Sequence, residues 1–292
     1  LWTIVALAAV GAGAGCLGAM VGIGGGVLLV PALALFFDVD LKIAIATSLI
    51  AVVATSTAAG SVYLRRGLPN MRLGMSLEVT TTIGGLLGGV LAVRVSQYAL
   101  SILFSGLMFV TAALMLRSKR DDVRGGGASG KGGDSSEGTA KKLGWEEPRT
   151  LGGAYFDERA QTMVKYTVVR LWAGALVALV AGCLSGMLGV GGGFLKVPAM
   201  TLAMRVPLRV AAATSNVMIG VTAIASLFVY FAHGYVHPTL AAPIVLGVVG
   251  GALVGTVLSA RVSPKLLRFV LSGVMVIVAV EMVLRARGVR VV

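Results

Sequence analysis

Residues 182–198 read GCLSGMLGVGGGFLKVP, and residues 15–31 read GCLGAMVGIGGGVLLVP. The two stretches lie 167 residues apart, and the same offset carries without a gap from Thr47 to Thr214, Tyr63 to Tyr230, Gly84 to Gly251, Arg94 to Arg261 and Gly106 to Gly273. An ungapped duplication of an apolar chain, with Gly triplets in matching places, is the pattern of transporter architectures built from internal repeats. It marks the two Gly-rich stretches as the working region.

Of the 292 residues, 57% are hydrophobic and 13% charged, with a mean hydropathy of +0.93. A soluble domain carries about 25% charged residues, so this is an all-α polytopic membrane protein, and the lipid bilayer is its first partner. The net charge of +13 does not imply nucleic acid. The basic residues sit at the ends of apolar stretches and in one linker, which fits anionic lipid and the positive-inside rule. Two Cys residues exclude a disulfide framework. No cleavable signal pattern is evident, and a few residues are expected to precede Leu1.

Residues 41–64, 73–93 and 97–116 are apolar and approach or exceed the ~20 residues that cross a bilayer, and so do their counterparts 208–232, 239–260 and 265–284. The segment before each trio differs. Residues 1–37 are too long for one crossing and are interrupted at Gly22, Gly24, Gly25 and Gly26. From Gly26 to Phe37 a helix rises roughly 18 Å, about half the hydrocarbon core. This predicts a hairpin that turns back near mid-membrane, with residues 168–204 as its twin. A hairpin plus three spans reverses orientation, so the two repeats are expected to be inverted. Counting Lys and Arg by side, with Lys196 set aside, gives 19 against 5 for the inverted arrangement and 17 against 7 for a parallel one. The inverted repeat with a cytoplasmic linker is favoured. The domain reading is a first transmembrane repeat over 1–117, a Gly/Ser/charged linker over 118–166 and a second repeat over 167–292. A short hairpin is expected near 154–169.

The Gly triplets carry the first chemical expectation. A broken helix in a low-dielectric interior exposes backbone N–H groups, and its N-terminus bears partial positive charge. Half-helices starting at Gly24, Gly25, Gly26 and at Gly191, Gly192, Gly193 can cradle an anion without a charged side chain. The plainer reading is a tight turn or close packing. Lys196 follows the second triplet inside an apolar arm, where the first repeat has Leu29. A buried ammonium costs roughly 2.5–3.5 kcal/mol on insertion scales, which makes it a functional candidate against the alternative of snorkelling. Thr47 and Ser48, with Thr214, Ser215 and Asn216, lie about two turns into the first long span of each half and offer donors to oxyanion oxygens. They are also ordinary interhelix packing residues.

Glu78 is the intramembrane acid, about one turn inside its span. It either pairs with Arg72 or carries a coupled proton, although so few acids do not support a dedicated relay. Glu281 reads as interfacial. Cys16 and Cys183 match by repeat and read as packing thiols, with a thiol reacting with a sulfur substrate as the minor alternative. His233 and His237 fall in an exterior loop. No cofactor and no metal site is implied. An enzyme is not expected, because there is no HExxH, no carboxylate pair and no Ser/His constellation in the spans.

The motifs GxxxGxGGGxxxVPAL after Leu17, GxLGVGGGFLKVPAM from Gly186, and ATS and ATSN at 46–48 and 213–216 together resemble the TauE/SafE sulfite exporter family over both transmembrane halves. The resemblance implies secondary transport of sulfite, organosulfonates or related sulfur oxyanions across the cytoplasmic membrane, with a small anion as the substrate. The first repeat lacks a counterpart of Lys196 and has Leu49 where the second has Asn216. The expected site is therefore asymmetric and weighted to the second half. An anion channel sharing the same site is the alternative to alternating access. Oligomeric state is not legible.

Overall fold

The Gly triplets break the first helix of each half. In the structure, a computed structural model, residues 2–21, 24–117, 151–157, 162–166, 168, 170–258 and 264–286 are described, and most of the linker lies outside them. Helix α1 (Trp2–Val21) precedes the first triplet, and α2 (Gly26–Phe36) leaves it. Helix α6 (Leu171–Leu188) ends at Gly189, and α7 (Gly193–Pro198) leaves the second triplet and continues as a π-helical turn over Ala199–Ala203. The break is made by consecutive left-handed residues: Gly24 and Gly25 have φ of 86° and 68°, and Gly191 and Gly192 have 81° and 69°. Side chains there would crowd the following carbonyl, so two in a row specify glycine.

The remaining helices are α3 (Leu41–Arg65), α4 (Met71–Arg94), α5 (Gln97–Arg117), α8 (Leu208–Ala232), α9 (Pro238–Leu258) and α10 (Pro264–Ala286). The second-half helices α7 to α10 each begin 167 residues after their first-half counterparts α2 to α5. Among the described residues, six helices are long and apolar enough to cross a membrane: α1, α3, α4, α6, α8 and α9. Their outward faces stay apolar: Val79, Ile83 and Leu87 on α4 and Leu246, Val254 and Val257 on α9 are exposed. These are lipid-facing surfaces, which water would not tolerate as a continuous band.

Helix pairing is reciprocal between the halves. The most extensive packing joins α1 to α9 and α4 to α6, followed by α5 to α10 and α3 to α8. Close approach is set by glycine. A Cβ on Gly84 would strike the Leu179 carbonyl and one on Gly88 the Cys183 carbonyl; Gly251 and Gly255 stand in the same relation to Ala12 and Cys16. Every partner in the second set sits 167 residues from its equivalent in the first. Small residues permit this backbone contact where lipid offers no hydrophobic drive to associate. The tyrosines recognised as repeat partners do equivalent work: Tyr63 Oη donates to Ala19 O (3.3 Å), and Tyr230 Oη to Gly186 O (3.0 Å) and Met187 O (3.2 Å). They satisfy carbonyls that the ends of α1 and α6 leave free.

Two departures from simple repetition matter. The arm that follows the second triplet is π-helical over its last five residues, while the first stays α-helical to Phe36. Thr201, opposite Ala34 of the first half, donates to the carbonyls of Val197 (3.0 Å) and Pro198 (3.1 Å). That side-chain bond competes with the helix ladder, and Met204 N closes the turn five residues back on Ala199 O at 3.2 Å. The second departure is a two-stranded antiparallel hairpin, β1 (Gly153–Asp157) and β2 (Thr162–Tyr166), with Tyr155 facing Val164. Asn70, the N-cap of α4, anchors it through Leu151 O and Tyr166 Oη, both at 2.9 Å.

Candidate functional site

The two glycine turns touch. A Cβ on Gly26 would collide with the Gly189 carbonyl, and Gly24 faces Ile219 of α8 and Val52 of α3. Ser48 Oγ joins the tips by donating to Gly189 O at 2.7 Å, with Gly26 O at 3.4 Å. Ser48 is thus a structural bridge between the halves. The half-helix starts are less open than the sequence suggests. Gly26 N donates to Gly24 O (2.8 Å), and Leu28 N and Leu29 N donate to Gly25 O (3.1 and 3.2 Å). At the second tip Leu195 N and Lys196 N are taken by Gly192 O (3.2 and 3.1 Å). The helix dipole, more than a fan of free amides, remains as the anion-favouring feature at Gly24–Gly26 and Gly191–Gly193.

Lys196 is buried, as its apolar arm requires, and it does not stand alone. Its Nζ donates to Thr222 Oγ1 at 2.9 Å and lies 3.7 Å from Glu78 Oε2. Thr222 Oγ1 in turn donates to Glu78 Oε1 at 2.7 Å, and Thr81 Oγ1 donates to Glu78 Oε2 at 3.0 Å. The acid sits two turns into α4, deeper than one turn, and the structure gives it Lys196 as its ionic partner. A charge pair held by hydroxyls keeps both ions satisfied in a poor solvent for charge. Thr222 and Thr81 were not singled out in the sequence. The one signal was position: Thr222 follows Ser215 by two helical turns on a largely apolar helix.

The other predicted residues separate. Thr214 Oγ1 accepts from Asn70 N at 2.9 Å and belongs to the junction between α8 and the start of α4. Asn216 lies at the crossing of α3 and α8, where its backbone carbonyl accepts from Ser56 Oγ. Its side-chain Oδ1 and Nδ2 are buried and have no partner among the described residues. Thr47, Ser215 and Ser185 also hold buried hydroxyls without a partner among the described residues. The repeat equivalent of the Ser48 acceptor, Gly22, lies outside the described residues. Ser185 packs on the second tip, 3.2 Å from a Cβ placed on Gly192. Cys16 and Cys183 are free, half-buried thiols whose carbonyls carry the glycine contacts between helices. His233 and His237 are exposed around the α8–α9 turn. Among the described residues, no cluster of His, Cys, Asp and Glu has the makings of a metal site.

The sequence profile described as Sulfite exporter TauE/SafE matches residues 7–282. The chain is 24% identical to the probable membrane transporter protein YunE of Bacillus subtilis, across 96% of this chain and 97% of that one. It is 27% identical to a probable membrane transporter protein of Xylella fastidiosa (91% and 90% covered). It is 26% identical to the probable membrane transporter protein MJ0441 of Methanocaldococcus jannaschii (92% and 91%). No solved structure matches the chain significantly.

Proposed function

Because the chain belongs to the sulfite exporter TauE/SafE family of membrane transporters, we propose that it is a secondary transporter for a small sulfur-containing oxyanion, sulfite or an organosulfonate, working by alternating access in the cytoplasmic membrane. The observation that carries this reading is the side-chain amide of Asn216, 1% exposed with neither atom partnered among the described residues. A buried polar group left unpaired costs about 1–3 kcal/mol. Such a group earns its place when a ligand completes it. Asn216 sits one turn before Ile219, which faces Gly24, so it belongs to the stretch of α8 that adjoins the first tip. The amide donates to an oxyanion oxygen, the half-helix starts at Gly24–Gly26 and Gly191–Gly193 supply partial positive charge, and Lys196 supplies a whole one. Thr47 and Ser215 add donors, while Ser48 and Thr214 hold the frame in which the others stand.

The halves are read as inverted repeats with a cytoplasmic linker. The register of α4 against α8 supports this. Gly74 lies against Thr214 and Met218, Gly85 against Thr222 and Ser226, and Gly89 against Val229, so the two helices run in the same direction. A hairpin plus three spans per half requires that direction; four full spans per half would oppose it.

The test is flux of sulfite and an alkanesulfonate in proteoliposomes, with Asn216→Leu beside wild type. Leucine is the residue the first repeat places at 49, so the variant is expected to fold. Loss of a hydrogen bond to a charged ligand, about 1.5–3 kcal/mol, raises the half-saturation concentration roughly 10- to 100-fold. An unchanged half-saturation value removes Asn216 from the site. Flux that neither saturates nor shows counterflow marks a continuously open pore instead of a carrier.

A further inference from the structure

The buried ion pair occurs once in a chain that is otherwise written twice. A shift of 167 residues takes Lys196 to Leu29, Glu78 to Val245 and Thr222 to Thr55. Leu29 is fully buried, and Thr55 turns its hydroxyl back to Ala51 O at 2.8 Å. The fold thus builds the same corner without charge in its other half, and packing alone does not call for Lys196 or Glu78. Charged side chains within a membrane are expensive to keep, and their usual use is on a substrate or proton path.

The geometry leaves room for a second state. The Nζ to Oε2 separation of 3.7 Å is long for a direct bond, and the Thr222 hydroxyl mediates between the charges. An ammonium has three donors, and one is committed to Thr222, which leaves donors for an incoming oxyanion. If an anion joined the neutral pair, the low-dielectric site would hold a net negative charge; one proton on Glu78 restores neutrality. The hydrogen bonds survive that change. A protonated Glu78 donates to Thr222 Oγ1, and the Thr222 hydroxyl turns to Met218 O, already 3.4 Å away. Thr81 still donates to the carboxyl group. The acid is also the more open member, 12% exposed against 2% for the lysine.

We propose that Glu78 is the proton-coupling residue of this transporter: a monoanion takes the Lys196 ammonium as a proton from solution neutralises Glu78, so one anion and one proton move together. The proposal rests on the oxyanion reading above. The charged or titratable groups around Glu78 are Lys196 from the second arm and Cys183 of α6, whose backbone abuts Gly84 and Gly88. Further along the packed helices are Arg209 and Tyr230 of α8, and Arg72 and Arg94 of α4 itself. Glu78 is the one carboxylate on α4, α6, α7 and α8, so no other acid on them can take up the proton.

Ethanesulfonate tests this cleanly, because it stays a monoanion throughout the working pH range and any pH dependence belongs to the protein. Binding and proton uptake are measured on the purified full chain in weakly buffered detergent solution, with sulfite as a second probe. Wild type is expected to take up about one proton per anion bound, with affinity falling about tenfold per pH unit once Glu78 is ionised. Glu78→Gln, a fixed mimic of the protonated acid, binds without proton uptake and independently of pH. In proteoliposomes it keeps counterflow and loses accumulation driven by an inward proton gradient. The double variant Glu78→Val/Lys196→Leu, which installs the residues of the other repeat, folds and no longer binds. Anion binding by wild type without proton uptake overturns the coupling proposal alone, as does proton uptake that persists in Glu78→Gln. Unchanged binding in the double variant overturns it too. If wild type binds neither ethanesulfonate nor sulfite, the oxyanion reading fails, and this proposal falls with it.

Discussion

Lys196 and Glu78 show how differently two charged residues register in a sequence. The lysine stands out because everything around it on a short arm is apolar. Its partner lies on another helix far away in the chain, and nothing local to Glu78 distinguishes an acid facing Arg72 from one facing a buried ammonium. Thr222 was invisible for a similar reason: a threonine in a membrane helix usually bonds its own backbone, as Thr55 does. Stability measurements separate the pair from its parts. Lys196→Leu alone strands a carboxylate in a low-dielectric corner, and loss of one partner of a buried pair costs about 3–5 kcal/mol. Adding Glu78→Val removes the stranded charge, and the double variant is expected to return near wild-type thermal stability in detergent. A double variant no more stable than the single one means that the pair holds α4 against the second arm.

At the scale of elements, the glycine breaks and the helix boundaries were legible, because consecutive glycines in a long apolar run leave few alternatives to a turn. The π-helical end of the second arm was not, since it depends on Thr201 choosing two particular carbonyls. Nor was helix pairing: the four-residue spacings of Gly84 and Gly88 and of Gly251 and Gly255 fit intramolecular packing and a dimer face equally well and name no partner helix. The structure assigns Gly84 and Gly88 to α6, and Gly251 and Gly255 to α1. Alanine at Gly88 or at Gly255 forces the helix pair apart, with an expected loss of about 1–3 kcal/mol at each position. Near-equal losses are expected because the two contacts are repeat equivalents. Gly106→Ala is the control: a Cβ there meets nothing within 4 Å. It is expected to hold or raise stability by up to about 1 kcal/mol through helix propensity. Thermal unfolding of the three variants in one detergent checks both expectations.

For the whole molecule, the orientation of the two halves decides whether the proposed alternation of access can run by exchange between them. Inverted halves meeting at the glycine tips can exchange conformations, each side opening in turn through the same motion, whereas parallel halves have no such exchange. The Lys/Arg distribution leans toward inversion by a small margin, because the linker dominates either count. The shared direction of α4 and α8 gives an independent geometric reason, and it leads to a direct experiment. The α3–α4 turn and the α8–α9 turn are repeat equivalents, so inversion puts them on opposite faces of the membrane and parallel repeats put them on the same face. Arg66 and His233 are exposed at these two turns. Single cysteines at 66 and at 233, with Cys16 and Cys183 replaced by alanine, can be labelled in intact cells with a membrane-impermeant maleimide. The cysteine at 233 is expected to react from outside, and the one at 66 only after the membrane is permeabilised. Labelling of both from one side refutes the inverted arrangement. The glycine tips and the buried pair would then need an access route that does not depend on exchange between the halves.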